Sequence, residues 1–287
     1  MKILVTGAAG RLGTVVCRHL HEAGHEVLAT DRMRDPSLPM PFVVADLAVR
    51  EAAYALVEGM EAIVQLGNIP NAGRTDAQTT YTLNTAANIH VFHAAAESEV
   101  RRIVFASSVQ VVSGTRKLGD DAPSVLPHLP FDGELPPCPG NTYALSKQAG
   151  ETALAYYTRM HGLHSVAFRF PWLVSQEIID GLRAREDGKS IHSRLAGSAN
   201  PDEGLSFLRF EDAASLIEAA LLRAPCGYRC YMPAHPSGRL HALLPSEIAR
   251  RHFPGVPHKR DLDAIGSLFH LDEIEANLGW RPAEARL

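Results

Sequence analysis

The chain has 287 residues, of which 46% are hydrophobic, so it can bury a large core and form one α/β unit, alone or with a small appendage. Its 28 basic residues nearly balance its 32 acidic residues, and the net charge of -4 provides no broad basic surface. Such a surface is what attracts a phosphate backbone or an anionic membrane, so the composition argues against nucleic acid and membranes as partners.

The N-terminus and the cysteines indicate a cytoplasmic protein. The chain begins directly with the apolar residues 3–5, without a basic leader, and no run approaches the ~20 apolar residues of a membrane-spanning helix. The four cysteines match no zinc spacing, so we expect reduced packing residues; a redox pair of Cys226 and Cys230 is the alternative. Histidine pairs one helical turn apart, such as His90 and His93, lack a third ligand, and we expect no metal.

Short β-branched runs alternate with helical patterns in the first half of the chain. This alternation predicts strands joined by crossover helices into a parallel sheet that is covered on both faces. The predicted strands are residues 2–6, 26–30, 42–45, 62–66, 103–106 and 165–170. The predicted crossovers include a helix that ends before Gly24 and longer helices over residues 79–98 and 142–161. The fold class is therefore α/β, with a doubly wound parallel sheet.

The pattern becomes irregular after residue 170. Prolines and glycines interrupt it until residues 212–222, which again have the period of an amphipathic helix. We expect this second half to build the substrate side of the molecule. The proline-rich residues 123–139 are predicted to form a loop over the site.

Three glycines stand between the first predicted strand and the first helix, at the spacing G-x-x-G-x-x-G. Gly7 and Gly10 allow a tight turn and a close approach of the backbone to a pyrophosphate, and Gly13 allows the helix to pack closely on the strand. The helix begins with Arg11 and Leu12, whose free N–H groups and partial positive charge favour an anion. The motif predicts a Rossmann-type dinucleotide site; a glycine-rich turn without a ligand is the alternative.

Asp31 ends the second predicted strand and indicates which dinucleotide binds. A carboxylate there accepts hydrogen bonds from the adenosine ribose hydroxyls of NAD and repels the extra phosphate of NADP, although the adjacent Arg32 weakens that preference. Asp46, followed by Leu47, either reaches the adenine edge or caps the next helix. We expect NAD as the cofactor.

Tyr143 and Lys147 lie one helical turn apart and hence on one face of a helix. A free tyrosine titrates near pH ~10, so its use as a proton donor and acceptor at neutral pH requires a pKa lower by about three units. Lys147 and an oxidised nicotinamide ring are predicted to supply the positive charge. Ser107 and Ser108 follow an apolar strand and place hydroxyls at its carboxyl end, where open α/β sheets bind ligands. Taken alone, the tyrosine and lysine also fit a solvated helix face.

Together these pieces resemble the extended short-chain dehydrogenases, the NAD-dependent epimerase/dehydratase family, over nearly the whole chain. The matching segments occur in family order and are residues 7–13, Asp31, Asp46-Leu47, Leu66-Gly67-Asn68, Asn84, Ser107-Ser108, Tyr143 with Lys147, Arg169-Phe170-Pro171, 207–222 and 278–282.

The resemblance implies a role for each matching residue. Tyr143 would be the general acid/base, Lys147 would bind the nicotinamide ribose and tune the tyrosine, and Ser108 would orient the substrate. The remaining cofactor-binding set would comprise Leu66, Gly67 and Asn68 beside the ribose and nicotinamide, Asn84 in a structural role, Ser107, and Phe170 with Pro171 at the nicotinamide amide.

The resemblance also bears on the substrate. Residues 109–114 lack the Tyr-Gly ending and the Asp-Glu pair that nucleotide-sugar 4,6-dehydratases use, so dehydration is disfavoured. The compact length is similar to that of uronate dehydrogenases, although Val109, Gln110 and Trp172 stand where that group carries polar substrate-binding residues. We expect these three residues and Ser108 to line the substrate site. Arginines that either bind a substrate anion or lie on the surface are Arg74, Arg169, Arg183, Arg185 and Arg194.

Three functions remain open from the sequence. The first is hydride transfer between NAD and a secondary alcohol of a sugar or sugar acid, the second is a nucleotide-sugar epimerase with tightly held NAD, and the third is a non-catalytic NAD-binding regulatory protein. We expect residues 1–170 to form the NAD-binding domain, with 205–235 returning to its sheet. Residues 171–204 and 236–287 would form a small substrate-binding region. The resemblance implies a homodimer formed through helices 79–98 and 142–161.

Overall fold

The computed structural model describes residues 1–70, 73–117, 122–183, 200–236 and 244–283. Seven parallel strands form the main sheet in the order β3-β2-β1-β4-β5-β6-β9, and β7 pairs with β8 in a separate ladder. The strands are β1 (Lys2–Thr6), β2 (Glu26–Asp31), β3 (Phe42–Val44), β4 (Ala62–Gln65), β5 (Arg102–Ser108), β6 (His164–Phe170), β7 (Trp172–Val174), β8 (Phe207–Arg209) and β9 (Tyr228–Tyr231).

All six strands predicted from apolar runs are present in the sheet. The seventh, β9, was not singled out, because it is an edge strand that pairs only with β6 and has a single fully buried side chain, that of Tyr231. Residues 205–235 were expected to return to the main sheet, and β9, which lies within that range, pairs there with β6. Strand β8, at the start of the range, pairs with β7 instead.

The helices of the described residues lie on both faces of the sheet. They are α1 (Arg11–Glu22), α2 (Arg50–Val57), α3 (Ala77–Ala96), α4 (Thr142–His161), α5 (Gln176–Arg183), α6 (Phe210–Arg223), α7 (Pro245–His252), α8 (Leu262–Ile265) and α9 (Asp272–Leu278). Helix α4 has the predicted bounds because Asn141 Oδ1 caps its start, accepting from Ala144 N at 2.8 Å, and Gly162 ends it at φ 68°. None of the helices in the described residues has the length and apolarity needed to cross a bilayer.

The buried side chains form two large cores, one on each face of the sheet. Ile3 and Val5 of β1 point into the core shared with α1 and α6, whereas Leu4 points into the core shared with α2, α3 and α4. This alternation along one strand shows that the sheet is doubly wound, as the sequence predicted. The carboxyl ends of the strands consequently lie along one edge, where the loops meet.

The proline-rich segment 123–139 folds together with the C-terminal part of the chain. Leu129 bridges to His258, and the Phe131 ring stacks on Phe269 with 4.8 Å between centroids. The carbonyl of Leu135 accepts a hydrogen bond from β6, through Arg169 Nη1 at 2.8 Å. The loop is therefore anchored to both halves of the molecule.

Candidate active site

The glycine turn between β1 and α1 brings backbone segments very close together. Gly7 has a φ of 65°, and a Cβ there would lie 2.8 Å from Gly67 N. A Cβ on Gly13 would lie 2.1 Å from Gly7 O. Gly10 caps α1 without a side chain, so the first N–H groups of the helix, from Arg11 onwards, face the turn with no side-chain acceptor. This cradle fits a pyrophosphate, which would take those N–H groups as hydrogen-bond donors.

Asp31 lies beside this turn at the end of β2. Its Oδ2 accepts a hydrogen bond from Ala9 N at 3.1 Å, and its Oδ1 accepts from Arg32 N at 2.6 Å. These bonds fix the carboxylate next to the cradle, where a ribose of a bound dinucleotide would lie. The exposed Asp46 accepts a bond from Ala48 N at 2.9 Å in the turn before α2. It does not cap that helix, whose N-cap is Val49 and has no side-chain hydrogen bond, and contact with adenine stays a prediction.

A buried polar network joins the loops that follow β1 and β4. Thr6 Oγ1 donates to Gln65 Oε1 at 2.7 Å and accepts from Leu66 N and Gly67 N at 3.0 and 2.9 Å. Gln65 Nε2 in turn donates to Asn88 Oδ1 at 3.1 Å. The sequence reasoning missed Thr6, Gln65 and Asn88. The available signal was Gln65, a polar residue in an otherwise apolar predicted strand. In the structure its side chain is fully buried and therefore needs hydrogen-bond partners.

Asn84 ties the loop after β4 to the helix of the tyrosine. Its Oδ1 accepts from Ile69 N at 2.7 Å, and its Nδ2 donates to Ser146 Oγ at 3.0 Å. Ser146 Oγ donates to the Tyr143 carbonyl at 2.7 Å. These contacts support the structural role that the family resemblance implies for Asn84.

Lys147 is held between two strand ends. Its Nζ donates to Asn68 Oδ1 at 2.8 Å and to the Ala106 carbonyl at 2.7 Å. The ammonium lies 5.7 Å from the centroid of the Tyr143 ring. Burial lowers the pKa of Lys147 to about 7, although the nearby Glu151 carboxylate opposes this effect. The lysine is thus placed where the sequence predicted, close to the tyrosine and to the cofactor loop.

Tyr143 differs from the prediction in its electrostatics. Burial raises the pKa of the phenol to about 12, and the Glu203 carboxylate adds to the increase, while a hydrogen bond with Ser108 acts in the opposite direction. The pKa of Tyr143 is therefore not lowered by the protein alone. The cost of desolvating the phenolate is larger than the stabilisation that the hydrogen bond with Ser108 gives it. The other predicted source of positive charge near the phenol, an oxidised nicotinamide ring, stays a prediction.

Ser107 and Arg169 are committed to a buried cluster behind the site. Ser107 Oγ donates to Glu151 Oε1, and Arg169 pairs with Glu151 through Nη2 and Oε2 at 2.8 Å. The prediction that Arg169 binds a substrate anion or lies on the surface is wrong, because its side chain is 5% exposed and paired. The Ser107 hydroxyl is likewise occupied, which leaves Ser108 as the hydroxyl that faces Tyr143. Of the other candidates, Arg74 is exposed, and the Arg183 side chain and residues Arg185 and Arg194 lie outside the described residues.

The substrate side begins at Ser108. Its Oγ accepts from Gln110 N at 3.2 Å, and Gln110 Oε1 accepts from Asn141 Nδ2 at 3.1 Å, so Gln110 stays at the site. Trp172 is 43% exposed and can offer its ring to a ligand. Val109 was predicted to contact substrate, but it packs into the core because the short turn after β5 directs it inwards. Phe170 and Pro171 are buried at the end of β6.

The redox and metal alternatives gain no support from the described residues. All four cysteines are free thiols, and burial raises the pKa of Cys230 to about 12, which disfavours the reactive thiolate. The described part of the chain holds no group of three or more His, Cys, Asp or Glu side chains arranged to bind a metal.

Comparisons with known proteins agree with this geometry. A model of the NAD dependent epimerase/dehydratase family matches residues 3–203. Uronate dehydrogenase from Pseudomonas syringae pv. tomato is 27% identical over 234 residues, which are 79% of this chain and 72% of that protein. L-arabinose 1-dehydrogenase (NAD(P)(+)) from Haloferax volcanii is 31% identical over 185 residues, which are 61% of this chain and 68% of that protein.

Solved structures share the fold over almost the full chain. A short-chain dehydrogenase/reductase superfamily protein from Agrobacterium tumefaciens with bound NAD gives a TM-score of 0.69 at 21% identity and covers 98% of this chain and 92% of that chain. A mutated uronate dehydrogenase gives a TM-score of 0.63 at 22% identity and covers 99% of this chain and 88% of that chain. The family model covers more than half of the sequence, and the glycine cradle and Asp31 fit its cofactor. The chain therefore belongs to the NAD-dependent epimerase/dehydratase family and is an NAD-dependent enzyme of the short-chain dehydrogenase type.

Proposed function

We propose that the protein is a dehydrogenase that transfers a hydride between NAD and the carbon of a secondary alcohol in a sugar or sugar acid. One observation carries the proposal: the Tyr143 phenol, the Lys147 ammonium and the Ser108 hydroxyl converge at the carboxyl end of β5, beside the loops that form the dinucleotide cradle. The dehydrogenases among its relatives, which are named for uronate and L-arabinose, support this substrate class.

The chain's own residues would perform the proton chemistry. The Ser108 hydroxyl would hold the substrate oxygen, and Tyr143 would take the hydroxyl proton as the hydride leaves the same carbon. Bound in its oxidised form, NAD supplies the hydride acceptor and a positive charge near the phenol. Lys147, fixed by Asn68 and Ala106, would hold the nicotinamide ribose and favour the phenolate.

A substrate screen tests this proposal. The purified protein is incubated with sugars, sugar acids and nucleotide sugars in the presence of NAD or NADP, and the absorbance of the reduced cofactor is followed. We expect NADH to form with a free sugar, and we expect the rate to depend on Tyr143. Isomerised nucleotide sugar with tightly retained NAD and no net NADH would identify an epimerase. NAD binding without turnover of any substrate would favour the non-catalytic regulatory function instead.

We also propose a cytoplasmic homodimer. Helices α3 and α4 pack side by side and leave an apolar groove between them that faces away from the sheet, lined in part by Ile89, Leu145 and Tyr156. These three side chains are 41%, 42% and 48% exposed, which is unusual for large apolar residues that are neighbours on a surface. A second copy packed through the same two helices would cover these three side chains on both protomers.

The cytoplasmic location is proposed from the cysteines. The four free thiols support a reducing compartment.

A further inference from the structure

A series of side-chain hydrogen bonds leads from the glycine cradle to Lys147, and its direction is fixed at the cradle. Thr6 Oγ1 accepts from Leu66 N and Gly67 N at 3.0 and 2.9 Å. A backbone N–H can only donate, so the proton of the Thr6 hydroxyl points elsewhere. It is donated to Gln65 Oε1 at 2.7 Å, the nearer of its two acceptors. The oxygen of the Gln65 amide therefore faces Thr6.

This direction passes through three amides in turn, Gln65, Asn88 and Asn68, which we call the amide series. With its oxygen at Thr6, Gln65 presents Nε2 to Asn88 and donates to Asn88 Oδ1 at 3.1 Å. Asn68 Nδ2 donates to the same oxygen at 3.0 Å. Asn68 Oδ1 is left to face Lys147, whose Nζ donates to it at 2.8 Å. The amide series thus ends in the acceptor that an ammonium needs.

The orientation of Asn88 is unfavourable for Asn88 itself. Its side chain is fully buried, and its Nδ2 has no hydrogen-bond partner among the described residues. Helix α4 packs tightly against this amide, since a Cβ on Gly150 would lie 2.8 Å from Nδ2. Rotation of the amide by half a turn would bring its NH2 group against those of Gln65 and Asn68. The unsatisfied donor is therefore explained by the direction of the amide series.

Reversal of the amide series would change the partner of Lys147. If Asn88 presented Nδ2 to Asn68, then Asn68 would turn its oxygen to Asn88 and its NH2 group to the lysine. An NH2 group repels an ammonium but can donate to a neutral amine, so the reversed series favours uncharged lysine. Gln65 opposes this reversal because its Nε2 needs Asn88 Oδ1. The Gly67 carbonyl opposes it as well, since it accepts from Asn68 Nδ2 at 3.0 Å.

The charged and neutral forms of Lys147 are close in free energy at neutral pH. Burial lowers the pKa of the lysine to about 7, and the negative charge of Glu151 acts in the opposite direction. The groups around the ammonium include Tyr143 and Glu151 from its own helix, the Phe105 ring and the Ala106 carbonyl from β5, and Asn68 from the loop after β4. A change in one hydrogen bond is therefore sufficient to shift the balance between the two forms.

We propose that Gln65 and Asn88 are positioning residues that hold the Asn68 oxygen towards Lys147 and thereby stabilise the charged form of the lysine beside Tyr143. The inference rests on the proposed dehydrogenase function, in which this ammonium holds the nicotinamide ribose and favours the phenolate. Gln65 and Asn88 act only through Asn68, because both side chains are fully buried.

NMR of isotope-labelled lysine tests this inference on the full-length protein. The Lys147 signal is identified by its absence in Lys147→Arg, and its titration midpoint is measured in each variant. Asn88→Leu removes the acceptor and keeps a similar shape, Gln65→Met removes the donor that orients Asn88, and Asn88→Asp keeps an acceptor. Thr158→Val is the matched control, since it removes a buried hydroxyl from the far end of α4.

We expect a wild-type midpoint near pH 7 and a midpoint lower by about one unit in Asn88→Leu and in Gln65→Met, a tenfold loss of proton affinity. For a sugar that the enzyme oxidises, kcat at pH 7 should fall with the charged fraction of Lys147, by about fivefold. Asn88→Asp should keep the midpoint at or above that of the wild type, because a carboxylate can only accept. Thr158→Val should change neither quantity.

An unchanged midpoint in Asn88→Leu or in Gln65→Met overturns the inference, and so does a midpoint in Asn88→Asp that falls as far as that in Asn88→Leu. If Asn88→Leu does not fold, Gln65→Met alone decides. Turnover that depends on Tyr143 would leave the proposed function intact when the inference fails. Conversely, the expected midpoints in a protein that oxidises no sugar support the positioning role and contradict the proposed function.

Discussion

The Lys147 ammonium donates a hydrogen bond to the side-chain oxygen of Asn68 at 2.8 Å, which joins helix α4 to the loop after β4. Asn68 is itself fixed, because its Nδ2 donates to Asn88 Oδ1 of α3 at 3.0 Å. The position of the ammonium is therefore set by three elements rather than by its own flexible side chain. A lysine held in this way keeps its distance to Tyr143 constant, which is the condition for one group to influence the proton affinity of the other.

Replacement of Tyr143 by phenylalanine should reduce turnover strongly without loss of the cofactor. Only the phenolic hydroxyl is removed, and a positioned general acid/base contributes about 10²- to 10⁴-fold to a rate. We expect kcat to fall by that factor, while the NAD dissociation constant, measured by calorimetry, changes little. Tyr54→Phe removes a phenolic hydroxyl from the distant helix α2 and should retain full activity. Unchanged turnover in Tyr143→Phe would exclude the proposed chemistry.

The sequence was sufficient for the main sheet and for the order of the site residues along the chain. Continuous apolar runs identify strands that are covered on both faces, and each of those strands is present. Strand β9 has no such run because it lies at the edge of the sheet. The glycine turn and the tyrosine helix were recognisable because their function requires a fixed local spacing.

Contacts between distant segments could not be read from the sequence. Arg169 resembled an anion-binding residue, and only the fold shows that it pairs with Glu151, which lies on the preceding helix. Glu203 follows a region without a regular pattern, and nothing in the sequence predicts that burial raises the pKa of its carboxyl group. The direction of the Tyr143 pKa shift likewise depends on its burial, which a motif does not report.

Loss of the Asp31 carboxylate should weaken the preference for NAD. In Asp31→Ala, the repulsion of the NADP phosphate and the acceptor for the ribose hydroxyls disappear together, while the adjacent Arg32 remains. We expect the ratio of kcat/KM for NADP to that for NAD to rise by roughly tenfold, which corresponds to about 1.4 kcal/mol. Glu22→Gln, an exposed change at the end of α1, serves as the control. An unchanged ratio would show that Asp31 does not contact the ribose.

A charge in the groove between α3 and α4 should separate the proposed dimer. Leu145→Glu places a carboxylate among apolar side chains that the partner would cover, and an unpaired buried charge is unfavourable. Light scattering after gel filtration should give a dimer mass for the wild type and a monomer mass for the variant. Leu222→Glu changes an equally exposed leucine on α6 and should leave the dimer intact. A monomeric wild type contradicts the proposal.

The ion pair between Arg169 and Glu151 should be sensitive to the removal of one partner. Arg169→Met leaves the Glu151 carboxylate buried without its cation, which costs about 3–5 kcal/mol in a typical buried pair. We expect the free energy of unfolding in urea to fall by that amount. The double variant Arg169→Met with Glu151→Met removes both charges and should recover a large part of the loss. A single variant within about 0.5 kcal/mol of the wild type would mean that the pair contributes little.

Replacement of Glu203 by glutamine should stabilise the folded chain at alkaline pH but not at acid pH. Burial raises the pKa of this carboxyl group from its ordinary 4.5 to about 7, so the folded state binds its proton more tightly than the unfolded state. Between these two values the folded state holds more protons, and the free energy of unfolding of the wild type therefore falls as the pH rises. Above about pH 7 the carboxyl group is ionised in both states, and the folded state carries the full cost of the desolvated charge. The difference between the two pKa values corresponds to about 3 kcal/mol.

Urea unfolding at about pH 8 should consequently show Glu203→Gln to be more stable than the wild type by up to about 3 kcal/mol, with the difference vanishing near pH 4.5. Glu58→Gln, which changes an exposed carboxylate, should show no such dependence on pH. Equal effects of Glu203→Gln at both pH values would mean that the carboxylate is not desolvated in the folded chain.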